Sequence, residues 1–180
     1  MLPLHVLFRV AIALRVAATI GGRAPSARGP AAHLRLAAHA LPDVSRPDLV
    51  DAIVDAAIDV QTPRVPAALI VAIAWGESRF EASARPACGV LQVFPRDLAE
   101  PAAACDVWRR DLRAGVRAGV REIETMLADK RVRGDLRRAL LYRACGNRAF
   151  DGSCSPAKHA WVAAALARWR DLARPSVAGS

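Results

Sequence analysis

Apolar residues recur at steps of three and four along most of the chain, whereas runs alternating with period two are scarce, so the pattern predicts helices rather than sheet. Leu49, Ile53, Ala56, Ala57 and Val60 form one apolar stripe. Ahead of it, the Ser45 hydroxyl can cap a helix, Pro47 suits a first turn and Asp48 suits the positive helix end. A second helix is announced by Thr62 and Pro63 and runs from about Pro66 through Leu69, Ile70 and Ile73 toward Trp75, where Gly76 weakens helical propensity and Glu77 closes the run. Residues 79–101 hold Pro86, Gly89 and Pro95 between short apolar clusters and read as mostly loop with a brief helical turn, the kind of segment that often carries function. Three further helices are expected at about 112–128, 135–145 and 156–172. Short connections favour bundle-like packing, and the fold class is mainly α.

Pro25, Gly29 and Pro30 among small and basic residues read as a linker over 21–32. A compact domain is therefore expected at 42–174, preceded by an apolar and linker segment at 1–41 and followed by a disordered tail at 175–180. Residues 1–20 are strongly apolar but interrupted by Arg9 and Arg15, which makes a stable membrane span a poor reading. Those arginines lie within the apolar stretch rather than ahead of it, so an export signal here is atypical; an amphipathic surface helix or a misassigned start fits as well.

Charge widens the set of partners. The net charge is +9, almost all of it arginine because Lys130 and Lys158 are the only lysines. Such a surface attracts nucleic acid, anionic lipid or an acidic cell-wall polymer without choosing among them, and solvated arginine-rich helix faces account for it equally well. No DNA-reading motif is present, so specific nucleic-acid binding is not expected. Cys88, Cys105, Cys145 and Cys154 lack paired zinc-knuckle spacing and read as disulfides of an extracytoplasmic protein. Three pairings are open; the two local ones, Cys88 with Cys105 and Cys145 with Cys154, each close a short loop, and four reduced buried thiols fit a cytoplasmic protein. His5, His33, His39 and His159 show neither metal spacing nor a nucleophile pattern, so no metal and no cofactor are expected.

Glu77 lies four residues after Ile73 and eight after Leu69, on a face that should point inward. A carboxyl in water-poor surroundings tends to keep its proton and can give it to a leaving oxygen, which glycosidic cleavage requires. The competing reading is an ion pair of Glu77 with Arg79 or another arginine at the helix end. Trp75, Trp108, Trp161 and Trp169 offer sugar-stacking faces, but core packing is favoured; Trp161 and Trp169 are eight apart on one helix face.

The string Trp75, Gly76, Glu77, Ser78, Arg79, Phe80, followed by Cys88, Gly89, Val90, Leu91, Gln92, Val93, resembles the Glu-Ser-x-Phe and Gly-Leu-Met-Gln blocks of soluble-type lytic transglycosylases, members of the lysozyme-like superfamily. The apolar run 65–73 is similar to that family's helix into its catalytic glutamate, and Ala139, Leu140, Leu141, Tyr142, Arg143, Ala144 is similar to its later Ala-Tyr-Asn-Ala block. The resemblance spans roughly residues 63–146. It departs in a shortened segment between Phe80 and Gly89, in Arg143 where asparagine is typical, and in Cys145 and Gly146 in place of a simple glycine step.

The resemblance implies a lysozyme-like helical domain with a loop-rich cleft, Glu77 as the single catalytic acid/base, Ser78 and Gln92 orienting the site or the sugar, and Tyr142 facing the reacting bond. It implies cleavage of the β-1,4 bond between N-acetylmuramic acid and N-acetylglucosamine in peptidoglycan, with a 1,6-anhydro product. Glu81 is the nearest further acid, and no second role is expected for it, since the resemblance has the chain turning near Ser78. The partner implied is the peptidoglycan strand, in a periplasmic or cell-wall setting; a secretion apparatus, conjugation machine or phage particle is the kind of machine that needs local wall opening. Two other readings stay open: a muramidase that uses water, and an inactive glycan-binding or structural module.

Overall fold

The computed structural model describes residues 29–174; the apolar segment at 1–20 and the tail at 175–180 lie outside them. Among the described residues there are seven α-helices and no β-strand: α1 Pro30–His39, α2 Val50–Val60, α3 Ala67–Ser78, α4 Ala104–Arg110, α5 Leu112–Ala128, α6 Leu136–Cys145 and α7 Pro156–Ala173. Short 3-10 turns occupy Pro47–Leu49, Pro95–Leu98 and Gly146–Ala149.

Helix α3 is the centre. Leu69, Ile70, Val71, Ala72, Ile73 and Ala74 are all fully buried, so this helix is apolar on every side and must be surrounded. It packs on α7 and α2; α2 in turn lies against α5 and α1, and α6 bridges α5 to α7. Its start is set by side chains, since the Thr62 hydroxyl accepts from the Val65 amide (3.0 Å) and Gln61 Oε1 accepts from the Ala67 amide (3.2 Å).

Helices α5 and α6 begin as their sequences require, with Asp111 accepting from the Ala114 amide and Asp135 from the Arg138 amide. On α5, Gly115 and Gly119 permit close approach. A Cβ at Gly115 would lie 2.6 Å from the Trp108 carbonyl oxygen, and one at Gly119 would lie 2.7 Å from Leu91 Cβ.

Two helices were not expected. Helix α1 lies ahead of the Pro42 boundary, inside the segment read as apolar and linker, yet its Leu34 and Ala38 are buried and it packs on α2 and α7. Pro30 occupies its first turn, a position that tolerates proline, rather than a linker. Helix α4 buries Trp108 and is tied to the preceding loop through Cys105. Ser45 does not cap a helix; its amide donates to the Arg79 carbonyl (3.0 Å), and a 3-10 turn leads into α2.

Both local cysteine pairings are present. Cys88–Cys105 and Cys145–Cys154 have Cα atoms 5.2 and 5.7 Å apart, and no cysteine is free. Among the described residues no helix is long and apolar enough to cross a membrane.

Replacing Gly119 by alanine sets its new methyl group against Leu91, close to that residue's backbone, so relief requires the 88–93 turn to shift. The expected cost is roughly 1–3 kcal/mol, the range for overpacking a tight contact. Urea unfolding of Gly119→Ala against the unsubstituted chain measures it.

Candidate active site

Helix α3 stops sharply just past Glu77. Arg79 and Phe80 both take left-handed backbone conformations (φ 54° and 68°), which non-glycine residues avoid at a cost of about 1–2 kcal/mol each. Phe80 is fully buried, which returns roughly 1.5–3 kcal/mol. The Arg79 amide and its guanidinium Nη1 both donate to the Trp75 carbonyl (3.0 Å each). Burial of the phenyl ring and these bonds hold the turn, and the turn leaves Glu77 at the helix end with a side chain 22% exposed.

Ser78, the next residue, is buried and supports the site from behind. Its hydroxyl lies 3.0 Å from the Ala74 carbonyl and 2.9 Å from the Val90 carbonyl, joining α3 to the 88–93 turn. With one proton it donates to one carbonyl at a time, and it is not among the residues lining the cleft. The turn closes where Cys88 and Val93 exchange backbone hydrogen bonds. Gln92, at φ 51°, uses its amide nitrogen to brace this turn, donating to the Ala84 and Gly89 carbonyls (3.0 and 2.9 Å). Ser78 thus ties the helix end to the turn from the buried side, while Gln92 braces the turn and also borders the cleft.

Arg143 dominates the cleft floor. Its side chain is 6% exposed; Nε donates to Glu122 (2.8 Å), Nη1 to Glu77 and Nη2 to the Leu91 carbonyl, with the Gln92 carbonyl 3.3 Å from the same nitrogen. One guanidinium therefore joins α3, α5, α6 and the 88–93 turn. Glu77 is paired with an arginine, as the competing sequence reading had it, but across the fold and not with Arg79.

Glu122 is itself only 5% exposed, and burial pushes its carboxyl above the usual carboxylate range despite the pull of Arg143. Burial also works against the Arg143 cation, but Glu122 and Glu77 outweigh it and keep the guanidinium charged.

Two neighbouring hollows share Phe94, Asp97, Glu122 and Arg143 as a common wall. One, of about 380 Å³, is lined by Glu77, Gln92, Lys158 and Trp161; the other, of about 460 Å³, by Tyr142, Asn147, Asp129 and Arg96. Together they make a groove that passes the Glu77–Arg143 pair. Tyr142 stands in the second hollow, not beside Glu77. Its ring lies 5.0 Å from that of Phe150, and its hydroxyl accepts from Arg131 Nη2 (3.1 Å). Hydrogen bonds from Arg131 in turn hold Asp129 down to about 2. No known protein family, curated protein or solved structure matches the chain.

Several groups in the groove were not singled out from sequence: Glu122, Phe94, Asp97, Asn147 and Lys158. For Glu122 a signal existed, because Gly115, Gly119 and Glu122 fall on one helical face at steps of four and three. Glu81 is half-buried and accepts from the Ser83 amide and hydroxyl, which hold its carboxyl below the usual range. Trp75 packs between Arg79 and Arg168, each guanidinium 3.6 Å from the ring centre, and its indole N–H donates to the Pro42 carbonyl. A larger hollow of about 640 Å³, between α1, α3 and α7, is apolar and holds no carboxyl. Among the described residues no cluster of His, Cys, Asp or Glu is placed to hold a metal ion.

Arg143→Ala would leave Glu122 buried without its cation, a loss of roughly 3–5 kcal/mol near neutral pH. Glu122 binds its proton more tightly when folded than when unfolded, so stability of the unsubstituted chain falls as pH rises from the usual carboxylate range to the higher value of Glu122. Without Arg143 this fall should steepen. Urea unfolding of both proteins at mildly acidic and mildly alkaline pH reads the difference.

Proposed function

We infer that this chain is a peptidoglycan lytic transglycosylase with a lysozyme-like arrangement of its helices, acting outside the cytoplasm, with Glu77 as its acid/base. The observation that carries the reading is the placement of Glu77: a partly exposed carboxyl at the end of an otherwise buried helix, bordering a groove whose walls include Gln92 and, further along, Tyr142. Three of the four residues that the motif resemblance selects thus border the groove, and the fourth, Ser78, lies buried behind it. The two disulfides support an oxidising compartment.

A groove of this kind, walled by Phe94, Trp161 and Tyr142, suits an extended glycan, whose sugar faces pack on aromatic rings. The proton of Glu77 passes to the glycosidic oxygen, and the bond from the muramic acid C1 to that oxygen breaks. The N-acetylglucosamine side leaves as an alcohol. The neighbouring N-acetyl carbonyl oxygen stabilises the cationic C1, as in substrate-assisted glycosidases. The muramic acid 6-hydroxyl oxygen then bonds to C1, and its proton returns to Glu77. No water is consumed. Arg143 stabilises the Glu77 carboxylate between the two transfers.

A second reading, a muramidase that uses water, is kept by one observation: Glu122 places a second carboxyl on the groove wall. Product mass separates the two, because the anhydro sugar is lighter by one water.

Glu77→Gln should lower turnover of purified sacculi by about a hundredfold or more, the scale of a lost general acid, while glycan binding and folding persist. Mass analysis of the released muropeptides should show anhydro ends from the unsubstituted chain and none above background from the variant. Equal turnover by the two proteins would remove Glu77 from the mechanism.

A further inference from the structure

A guanidinium set against a general acid raises a difficulty. A lone cation beside a carboxyl favours its ionised form, and an ionised Glu77 has no proton to give. The structure supplies a counterweight from the other side of the same guanidinium: Glu122, which accepts from Arg143 Nε at 2.8 Å while Glu77 accepts from Nη1.

We propose that Glu122 is a positioning residue that shares the single Arg143 cation with Glu77, so that the cluster of two carboxyls and one guanidinium keeps one proton and Glu77 can deliver it. The proposal rests on the assignment of Glu77 as acid/base and explains how that role survives an arginine where the resembling family has asparagine.

Charge balance carries the argument. With both carboxyls ionised the cluster bears one net negative charge, and with one proton bound it is neutral. The Arg143 and Glu122 side chains are 6% and 5% exposed and that of Glu77 is 22% exposed, so water reaches the cluster on the Glu77 side and does little to support a charge on Glu122. Burial further disfavours the Glu122 carboxylate. The groups facing Glu122 are Arg143 on α6, Asp97 on the Pro95–Leu98 turn and Glu77 on α3. Two of those three are acidic, and each favours retention of a proton. The proton belongs to the pair, as for any strongly interacting carboxyls. When Glu77 has given its proton to the leaving oxygen, the Arg143 cation remains against the new carboxylate until the 6-hydroxyl returns one.

Arg143 also fixes the direction in which Glu77 points. Its Nη2 is anchored on the Leu91 carbonyl, and its Nε on the Glu122 carboxyl, carried on the buried, glycine-spaced face of α5. Glu122 thereby acts on Glu77 through Arg143, in orientation as well as charge.

The test is the pH–rate profile on purified sacculi, from about pH 5 to about pH 9, for the unsubstituted chain, Glu77→Gln, Glu122→Gln and Glu122→Gln with Arg143→Gln. Glutamine keeps the shape of Glu122 and removes its charge, leaving Arg143 facing Glu77 alone. The alkaline limb of Glu122→Gln should move to lower pH by about one unit or more, a loss of roughly tenfold on that limb, with activity recovering in acid. Removing the cation as well should move the limb back, which a merely structural role for Glu122 does not predict.

An alkaline limb unchanged in Glu122→Gln overturns the proposal and leaves the assignment of Glu77 standing. Equal activity of the unsubstituted chain and Glu77→Gln overturns that assignment instead. Should the Glu122 variants fail to fold, carboxyl carbon NMR of the unsubstituted protein decides: one proton held by the pair above the usual carboxylate range supports the sharing, and loss of both protons within that range refutes it.

Discussion

A single buried guanidinium ties the chemistry of this molecule to its architecture. Arg143 reaches from α6 to carboxyls on α3 and α5 and to the backbone of the 88–93 turn, so four parts of the fold meet at one planar group. A charge placed this far from water costs several kcal/mol unless it is paired, and the fork geometry of arginine lets one side chain satisfy several acceptors at once. A lysine, with a compact ammonium, does not hold the same set of directions. The groove has its floor where it does because these partners converge.

The rest of the fold places those partners. Helix α3 is buried along its length and ends in two left-handed residues, a strained exit that the buried Phe80 ring helps to hold. Ser78, one residue beyond the acid, pins the helix end to the turn that carries Leu91 and Gln92, and Gly119 lets α5 lie close against that turn. The Cys88–Cys105 bridge closes the same region by fastening it to α4. The contacts at each of these points serve one end, a carboxyl held in one direction at the edge of a groove.

What the sequence discloses follows from what each feature depends on. Helices α2, α5, α6 and α7 are legible in apolar residues spaced three and four apart, and α3, apolar on every side, is legible as an unbroken apolar run that follows Thr62 and Pro63. Helix α1 is hidden because Gly29 and Pro30 look like a linker, although Leu34 and Ala38 already stand four apart. Helix α4 has seven residues, too few for a stripe, and depends on Trp108 and a disulfide. The position of Glu77 at a helix end is legible in the motif blocks, whereas its partner Arg143 lies 66 residues away and stands out only as a departure from the expected asparagine. Glu122 sits in the run Arg121, Glu122, Ile123, Glu124, which looks like an exposed charged face; only packing against Arg143 separates it from its neighbours. Ser78 and Gln92 belong to the motif, but their hydrogen bonds to backbone carbonyls are visible only once the chain is folded.

The central claim is that a glycan lies in the groove with its scissile oxygen against residue 77. A crystal structure of Glu77→Gln bound to a peptidoglycan fragment too short-lived to survive the active chain tests it most directly. The account predicts sugar rings running past Phe94 and Tyr142, with a glycosidic oxygen within hydrogen-bonding distance of the residue 77 side chain and Arg143 still seated between α3 and α5. A fragment bound elsewhere on the molecule, or one whose linkages all lie beyond reach of residue 77, would contradict it.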